Sequence, residues 1–219
     1  MKRLILFIAF FYLFLTGCTH LNSKKNEAAL PASFDYGKAE NGIYSNAYFR
    51  IKVHYDTNWH QLSRDEIMNL TEIIDENVAG KNEKLKAFYN ASKVKTAYLF
   101  LCSKYPANAT LEFNPSISLM VENVAMLPSL SSGLEYINQA KKIMAQTNSD
   151  YQFGSTQQKQ VGKMTFFALT AIPAAIDPTL RQEYWVTIYR DFALCFVMTY
   201  KNEEDQKTMH QIIESIEFL

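Results

Sequence analysis

The apolar and polar positions divide the chain into a short apolar start, a polar stretch and a long region of regular elements. Apolar residues run without interruption from Leu4 to Leu15, whereas few periodic apolar positions occur between residues 19 and 42. From Tyr48 to Leu219, apolar residues recur at the spacings of strands and helices. The pattern therefore predicts three parts: a leader of residues 1–17, a solvated tether of residues 18–42 and one folded domain of residues 43–219.

Strands are predicted throughout the folded domain. Apolar and polar residues alternate between residues 49 and 55, which is the period of a strand with one face in water. Six further segments are bounded by turn-forming residues and are also expected to be strands. They span residues 96–103, 116–124, 152–160, 164–172, 183–189 and 192–200.

Three amphipathic segments predict helices. In the first, Ser63 as N-cap and Glu66 three residues later form a capping box, and helical spacing continues to Gly80. The other two helices are expected over residues 131–147 and 203–215. A short additional helix is expected around Leu85 and Phe88.

The order of the elements indicates the arrangement of the sheet. The last four predicted strands follow one another with short links, which favours an antiparallel meander. The run from Phe192 to Met198 has no polar alternation, so we expect it to lie centrally with both faces covered. The predicted fold class is therefore α+β, with one antiparallel β-sheet packed between α-helices as an α/β/α sandwich.

The leader has the features of an export signal. Lys2 and Arg3 precede the apolar run, whose twelve residues make a helix of roughly 18 Å, shorter than the ~30 Å hydrocarbon core of a bilayer. These features predict a signal peptide rather than a permanent transmembrane helix. The following Leu15-Thr16-Gly17-Cys18 resembles the lipobox of bacterial lipoproteins, in which the cysteine thiol receives a diacylglycerol and the chain is cut before the cysteine.

The lipobox resemblance implies a lipid anchor at Cys18. In that family the new amino terminus is commonly acylated as well, with a fatty acid such as palmitate, and two or more acyl chains hold a protein stably to a bilayer. The next residue is Thr19 rather than aspartate, which resembles an outer-membrane sorting signal in Gram-negative lipoproteins. We therefore expect the protein at the cell envelope, on the outer membrane facing the periplasm if the cell is Gram-negative.

The order of elements in the domain is similar to that of the PsbP-like superfamily. The resemblance rests on the segment from Phe49 to Trp59, the turn at Gly162, the hairpin from Tyr184 to Tyr200 and the closing Ser215-Ile216-Glu217-Phe218. One departure is that the first strand of that family often runs into a proline before its tryptophan, and none stands there in this chain. The resemblance implies a PsbP-like domain over residues 43–219, in a superfamily whose binding and scaffolding roles differ between members.

Composition and motifs narrow the classes of function. Lys plus Arg and Asp plus Glu number 22 each, so there is no basic excess of the kind that favours general nucleic-acid binding. The sequence also lacks a glycine-rich phosphate loop, a nucleophile elbow, a zincin helix and a Cys-x-x-Cys pair. We therefore expect no catalytic residue, cofactor or bound metal.

The alternative hypothesis places a site near His54, Asp56 and His60. Imidazole and carboxylate groups are zinc ligands, so these three residues would serve an envelope enzyme or a metal-binding protein. Their spacing across a strand end and a loop does not fix a coordination geometry. The polar alternation of the strand also explains His54 as a residue that faces solvent.

Cys102 and Cys195 are the other two cysteines, and each lies within a predicted apolar strand. An exported location permits a disulfide, which needs neighbouring strands and Cα atoms about 4.4–6.8 Å apart. Without that geometry the two residues would be buried, unreactive thiols. The sequence leaves both possibilities open.

Taken together, the sequence predicts an exported, membrane-anchored lipoprotein that acts as a non-catalytic binding or scaffold module. The expected partner is another protein of the cell envelope, and the lipid anchor would raise the local concentration of the domain there.

Overall fold

The computed structural model describes residues 29–31, 33–79, 94–106, 108–109, 111–145 and 149–219, without the side chains of residues 72–79. The predicted signal peptide, Cys18 and the expected short helix around Leu85 and Phe88 lie outside these residues. Within the described ranges, no helix is long and apolar enough to cross a membrane.

The described residues form twelve strands and three α-helices, which confirms a mixed α+β fold built on antiparallel sheets. In chain order these elements are β1 (Lys38–Glu40), β2 (Ile43–Asn46), β3 (Ile51–His54), β4 (His60–Gln61), α1 (Arg64–Ala79), β5 (Thr96–Ser103), β6 (Ser116–Asn123), α2 (Gly133–Met144), β7 (Tyr151–Phe153), β8 (Gln157–Val161), β9 (Met164–Pro173), β10 (Arg181–Tyr189), β11 (Phe192–Tyr200), α3 (Glu203–Glu214) and β12 (Glu217–Phe218).

The strands form two sheets instead of the single sheet expected. The larger sheet has the order β4-β5-β6-β11-β10-β9-β7, with β8 also paired to β9. The smaller sheet has the order β1-β2-β3-β12. The sequence pattern missed β1, β2 and β12 because strands of two to four residues are too short to show a period.

The strand β11 confirms the prediction of a central strand covered on both faces. It pairs antiparallel with β10 on one edge and with β6 on the other, and all nine of its residues are buried. Alternate side chains of a strand point to opposite faces. Phe196 and Met198 accordingly join one apolar cluster, whereas Cys195 and Val197 join the other.

Each face of the larger sheet has its own apolar layer. On one face, Ile67 of α1 and Tyr136 and Ile137 of α2 belong to the same cluster as Cys195. On the other face, Met209 and Ile213 of α3 belong to the cluster that contains Phe196. The smaller sheet shares this second layer through residues such as Ile51 and Val53, and the expected arrangement did not include it.

The predicted first strand is shorter than the alternation suggested. Residues 47–50 form a turn, Arg50 has a φ of 51°, and β3 begins only at Ile51. The turn is held by Asp35, whose Oδ2 accepts the backbone N–H groups of Ala47 at 2.8 Å and Tyr48 at 3.2 Å. The strand then pairs with β2 and β12 of the smaller sheet.

The packed part of the chain begins upstream of residue 43, where the sequence pattern put its start. Phe34 is buried and its ring lies 6.1 Å from that of Phe49 and 6.0 Å from that of Phe192. The backbone N–H of Leu30 donates to the carbonyl of Val94 at 2.7 Å. These contacts were not predicted because isolated aromatic residues in a polar stretch show no period.

Another difference concerns the strand expected over residues 152–160. It is divided at Gly154 into β7 and β8, and both of these strands pair with β9. The backbone N–H of Gly154 donates to the carbonyl of Thr170 at 2.9 Å, so the chain stays beside β9 across the break.

The helix starts follow the sequence signals. The capping box of α1 is confirmed, since the N–H of Ser63 donates to Glu66 Oε2 at 2.8 Å and the N–H of Glu66 donates to Ser63 Oγ at 3.3 Å. Ser132 and Glu135 form a second capping box at α2. The first residue of α2, Gly133, packs directly on β10, where an added Cβ would overlap the carbonyl oxygen of Val186.

The two described cysteines are free and buried. Cys102 belongs to the cluster of the α3 face and Cys195 to the cluster of the α1 and α2 face, and β6 separates their strands. A disulfide between them is therefore incompatible with this fold. Burial raises the pKa of the Cys102 thiol to about 12 and that of Cys195 further, so both thiols are poor nucleophiles.

Trp59 offers a test of the α3-side core. The residue lies between β3 and β4, is 7% exposed and belongs to the apolar cluster on the α3 side of the larger sheet. We predict that Trp59→Ala lowers the free energy of unfolding by about 3–5 kcal/mol, because truncating a buried tryptophan leaves a cavity. Met68→Ala on the exposed side of α1 is the control, expected to stay within about 0.5 kcal/mol. Equal denaturant midpoints for the two variants would contradict this prediction.

Candidate functional site

The structure places the residues of the alternative site in separate contacts. His54 is the exposed last residue of β3, and its Nε2 lies 3.1 Å from Glu217 Oε1. His60 belongs to β4, and its Nε2 lies 3.2 Å from Oε1 of Glu66 in the capping box of α1. Asp56 accepts the backbone N–H of Asn58 at 2.9 Å.

These contacts do not assemble a metal site near His54, Asp56 and His60. Each histidine is paired with a different glutamate, and the Asp56 carboxylate belongs to a local turn. Among the residues that the structure describes, no group of three or more His, Cys, Asp or Glu side chains could hold a metal ion.

A cluster that the sequence did not predict surrounds Glu183 on β10. Glu183 is 5% exposed, although it carries a carboxylate in the centre of the larger sheet. Its Oε1 accepts the indole N–H of Trp185 at 2.6 Å, and its Oε2 accepts the hydroxyl of Tyr200 at 3.0 Å. Gln206 of α3 donates its amide N–H to the same Oε2 at 3.1 Å.

His210 completes the Glu183 cluster from α3. Its Nε2 lies 3.0 Å from Oε2 and 3.1 Å from Oε1 of Glu183. The imidazole also packs against Trp185, with ring centroids 5.3 Å apart. The side chain of His210 is 27% exposed, so it connects the buried carboxylate to the surface of the domain.

The electrostatics of the cluster favour an ionised Glu183. Burial acts to raise the pKa of this carboxyl, but the hydrogen bonds from His210, Trp185 and Gln206 outweigh it and lower the pKa from 4.5 to about 2. The negative charge has the opposite effect on its neighbour, because burial and Glu183 together raise the pKa of the Tyr200 hydroxyl. Glu183 is therefore a fixed acceptor rather than a group that exchanges protons near neutral pH.

The exposed side of α3 carries an open depression of about 300 Å³ above this cluster. Its lining residues repeat every three or four positions and so lie on one helix face. They are Glu203, Gln206, Lys207, His210, Gln211 and Glu214. Two of them, Gln206 and His210, also bind Glu183, so the position of this face is linked to the buried carboxylate. The depression offers donors, acceptors and both signs of charge, which suits a polar partner surface.

A second buried carboxylate lies on the other side of the larger sheet. Glu122 of β6 is fully buried, with Lys95 Nζ at 2.6 Å from Oε1 and the hydroxyl of Tyr136 donating to Oε2 at 2.7 Å. Burial and the Glu122 charge raise the pKa of Tyr136 well above 10. Lys95, which directly precedes β5, is also buried, so this cluster joins β6 and the start of β5 to α2 inside the domain.

Sequence reasoning missed the Glu183 cluster for a physical reason. Glu183 and His210 are 27 residues apart, and their contact depends on how α3 returns across the sheet. A partial signal was present: Glu183 and Trp185 share one face of β10. A carboxylate on the core face of a central strand needs partners, and the sequence did not show where they come from.

Comparisons with known proteins give a distant structural similarity. No protein-family profile matches the chain, and no curated protein matches it either. Among solved structures, the chain is similar to the solution structure of cyanobacterial PsbP (CyanoP) from Synechocystis sp. PCC 6803. The TM-score is 0.45 with 10% sequence identity, over 94% of this chain and 99% of that chain. The neighbour is a PsbP protein, and the PsbP-like superfamily is the one that the order of elements resembles. A similarity this distant supports no statement about function.

The Glu183 cluster predicts a loss of stability in acid. The pKa of the Glu183 carboxyl is lower in the folded state than in the unfolded state. The stability that the ionised carboxylate contributes is therefore complete above about pH 5 and is lost as the pH falls from about 4.5 to about 2. We expect Glu183 to account for roughly 3 kcal/mol of the decrease in the free energy of unfolding over that range.

Urea unfolding at a series of pH values checks this prediction with two variants. Glu183→Gln should show a flatter acid limb than the parent protein, since it has no carboxyl to protonate. Glu217→Gln, which alters an exposed ion pair with His54, should keep the parent's acid limb. An acid limb unchanged in Glu183→Gln would show that the cluster does not hold the carboxylate ionised.

Proposed function

We propose that this chain is a lipid-anchored protein of the cell envelope whose PsbP-like domain, in an α/β/α arrangement, acts as a non-catalytic binding or scaffold module. The observation that carries the binding role is the polar face of α3 with its open depression, held in place from below by Glu183. The observation that carries the anchor is Leu15-Thr16-Gly17-Cys18 after a short apolar run.

The lipid anchor is a proposal from the sequence of the leader. A diacylglycerol on Cys18 with a further acyl chain on its amino group would bury enough methylene groups for stable attachment, at about 0.8 kcal/mol each. Thr19 supports sorting to the outer membrane, facing the periplasm, in a Gram-negative cell.

The α3 face supports a protein partner better than a small molecule. Its lining side chains are polar, lie on one helix and surround an open depression rather than an enclosed cavity. A small-molecule site is usually concave and largely apolar. The α3 face carries both signs of charge, and hydrogen bonds to the buried Glu183 carboxylate fix its position. Such a surface suits the polar part of a protein interface.

The alternative of an envelope enzyme or metal-binding protein near His54, Asp56 and His60 receives less support. Both histidines are engaged with the carboxylates of Glu217 and Glu66, and an enzyme there would have to break these pairs to align its groups. The Glu183–His210 pair is also a poor general base, because its carboxyl pKa is lowered to about 2.

The anchor is tested by Cys18→Ala in the full chain. We expect this variant to incorporate no labelled palmitate, because it lacks the thiol that accepts the diacylglycerol and the processing that follows. The parent chain and Cys102→Ala should both be labelled, since Cys102 is buried in the domain. Label that persists in Cys18→Ala would disprove lipidation at this residue.

The binding face is tested by photo-crosslinking in living cells. A photoreactive residue in place of Lys207 on α3 should give a discrete crosslinked species, whereas one in place of Lys142, an exposed lysine of α2, should not. His210→Ala in the Lys207-labelled chain should reduce the crosslink, since His210 lines the same depression. Equal crosslinking at the two lysines, or none at Lys207, would contradict a partner on this face.

A further inference from the structure

Four exposed apolar side chains lie at one end of the domain. Tyr48 is 40%, Val94 58%, Met126 45% and Leu219 55% exposed. Tyr48 precedes β3, Val94 precedes β5, Met126 follows β6 and Leu219 follows β12. In the larger sheet, antiparallel pairing puts the starts of β5 and β11 and the end of β6 at one end. In the smaller sheet the start of β3 meets the end of β12, and the ring of Tyr48 lies 5.7 Å from that of Phe192 at the start of β11, so the two sheets share this end.

Hydrogen bonds join these segments into one surface. The carbonyl of Lys95 accepts the N–H of Asn123 at 2.9 Å, and the carbonyl of Asp191 accepts the N–H of Val124 at 2.8 Å. Arg190 donates its guanidinium N–H to the carbonyl of Tyr48. The N–H of Leu219 donates to the carbonyl of Arg50 at 2.8 Å. We call this surface the entry end, defined by Tyr48, Arg50, Val94, Met126, Arg190 and Leu219.

The first described residues of the chain also lie at the entry end. Leu30 donates its backbone N–H to the carbonyl of Val94 at 2.7 Å, and the Phe34 ring lies 5.9 Å from the ring of Tyr48. Cys18 precedes Leu30 by twelve residues. At about 3.3–3.6 Å per residue, even a fully extended segment spans at most roughly 40 Å. A lipid on Cys18 would therefore keep the entry end close to the bilayer.

The charges of the entry end are nearly balanced. Arg50 and Arg190 are exposed, and Lys163 is exposed in the turn between β8 and β9 at the same end. Asp191 is exposed beside Arg190, and Asp35 accepts the backbone N–H groups of the turn that contains Tyr48. Strong attraction to anionic lipid is therefore not expected, whereas guanidinium groups can bind the phosphate of any phospholipid headgroup.

We propose that the entry end faces the lipid bilayer and inserts Tyr48, Val94, Met126 and Leu219 into the headgroup region. The inference rests on the proposed lipid anchor. Tyrosine, arginine and aliphatic side chains together are the residues that membrane interfaces favour. Four partly exposed side chains bind a bilayer weakly on their own, but an anchor turns binding into an intramolecular event and makes a weak contact sufficient to orient the domain.

The experiment uses the full lipidated chain, purified from cells and placed in phospholipid vesicles that carry nitroxide on their headgroups. A fluorophore is attached to Ala125→Cys at the entry end or to Ala109→Cys at the opposite end, both exposed alanines in turns. Cys102 and Cys195 are buried, and the parent chain reports any background labelling. The mass of the N-terminal peptide shows independently whether Cys18 carries acyl chains.

We expect the label at residue 125 to be quenched several-fold more than the label at residue 109. The difference should persist in vesicles of phosphatidylcholine alone, because the charges of the entry end are balanced. Combining Val94→Ser and Leu219→Ser, both exposed positions, should bring the two labels towards equal quenching while the circular dichroism spectrum stays unchanged.

Two outcomes separate this inference from the anchor. Acyl chains on Cys18 with equal quenching at residues 125 and 109 would overturn the orientation and leave the anchor intact. A label at residue 125 that is shielded from aqueous iodide but not quenched by lipid would show that another protein copy covers the entry end, and would also overturn the proposal. A peptide without acyl chains would refute the anchor itself, and the orientation with it.

Discussion

The domain is organised around a strand that water does not reach. Both edges of β11 are bonded to neighbouring strands and both of its faces are covered, so its nine residues are buried together. Such a strand requires two separate apolar layers. The helices α1 and α2 supply one layer, and α3 with the smaller sheet supplies the other. The positions of the Glu183 cluster and of both cysteines follow from this division.

The two faces of the larger sheet each contain a buried glutamate, and the two carboxylates have different kinds of partner. Glu122 is paired with Ala193 of β11 and faces the layer of α2, where Lys95 and Tyr136 enclose it. Glu183 is paired with Met198 and faces the opposite layer. Its partners include Gln206 and His210 of α3, which also line the depression on the surface of that helix.

Local sequence patterns predicted the long elements well and the candidate site poorly. The strands over residues 96–103 and 192–200 have the predicted bounds because continuous apolar runs reveal buried strands. The strands β1, β2 and β12 of the smaller sheet were missed because they are short, and the contacts of Leu30 and Phe34 were missed because these residues follow no period. The Glu183–His210 contact was not predictable, since it joins a strand and a helix whose relative position is fixed only by tertiary packing.

The closing of the smaller sheet has a consequence for the order of folding. β3 stands in the first third of the chain, yet its partner β12 comes near the end, and His54 and Ser215, 161 residues apart, are joined through the Ser215 hydroxyl. Contacts of such long range form late, because the entropy of closing the loop must be overcome first. A nascent chain would therefore lack a completed smaller sheet until β12 has been synthesised.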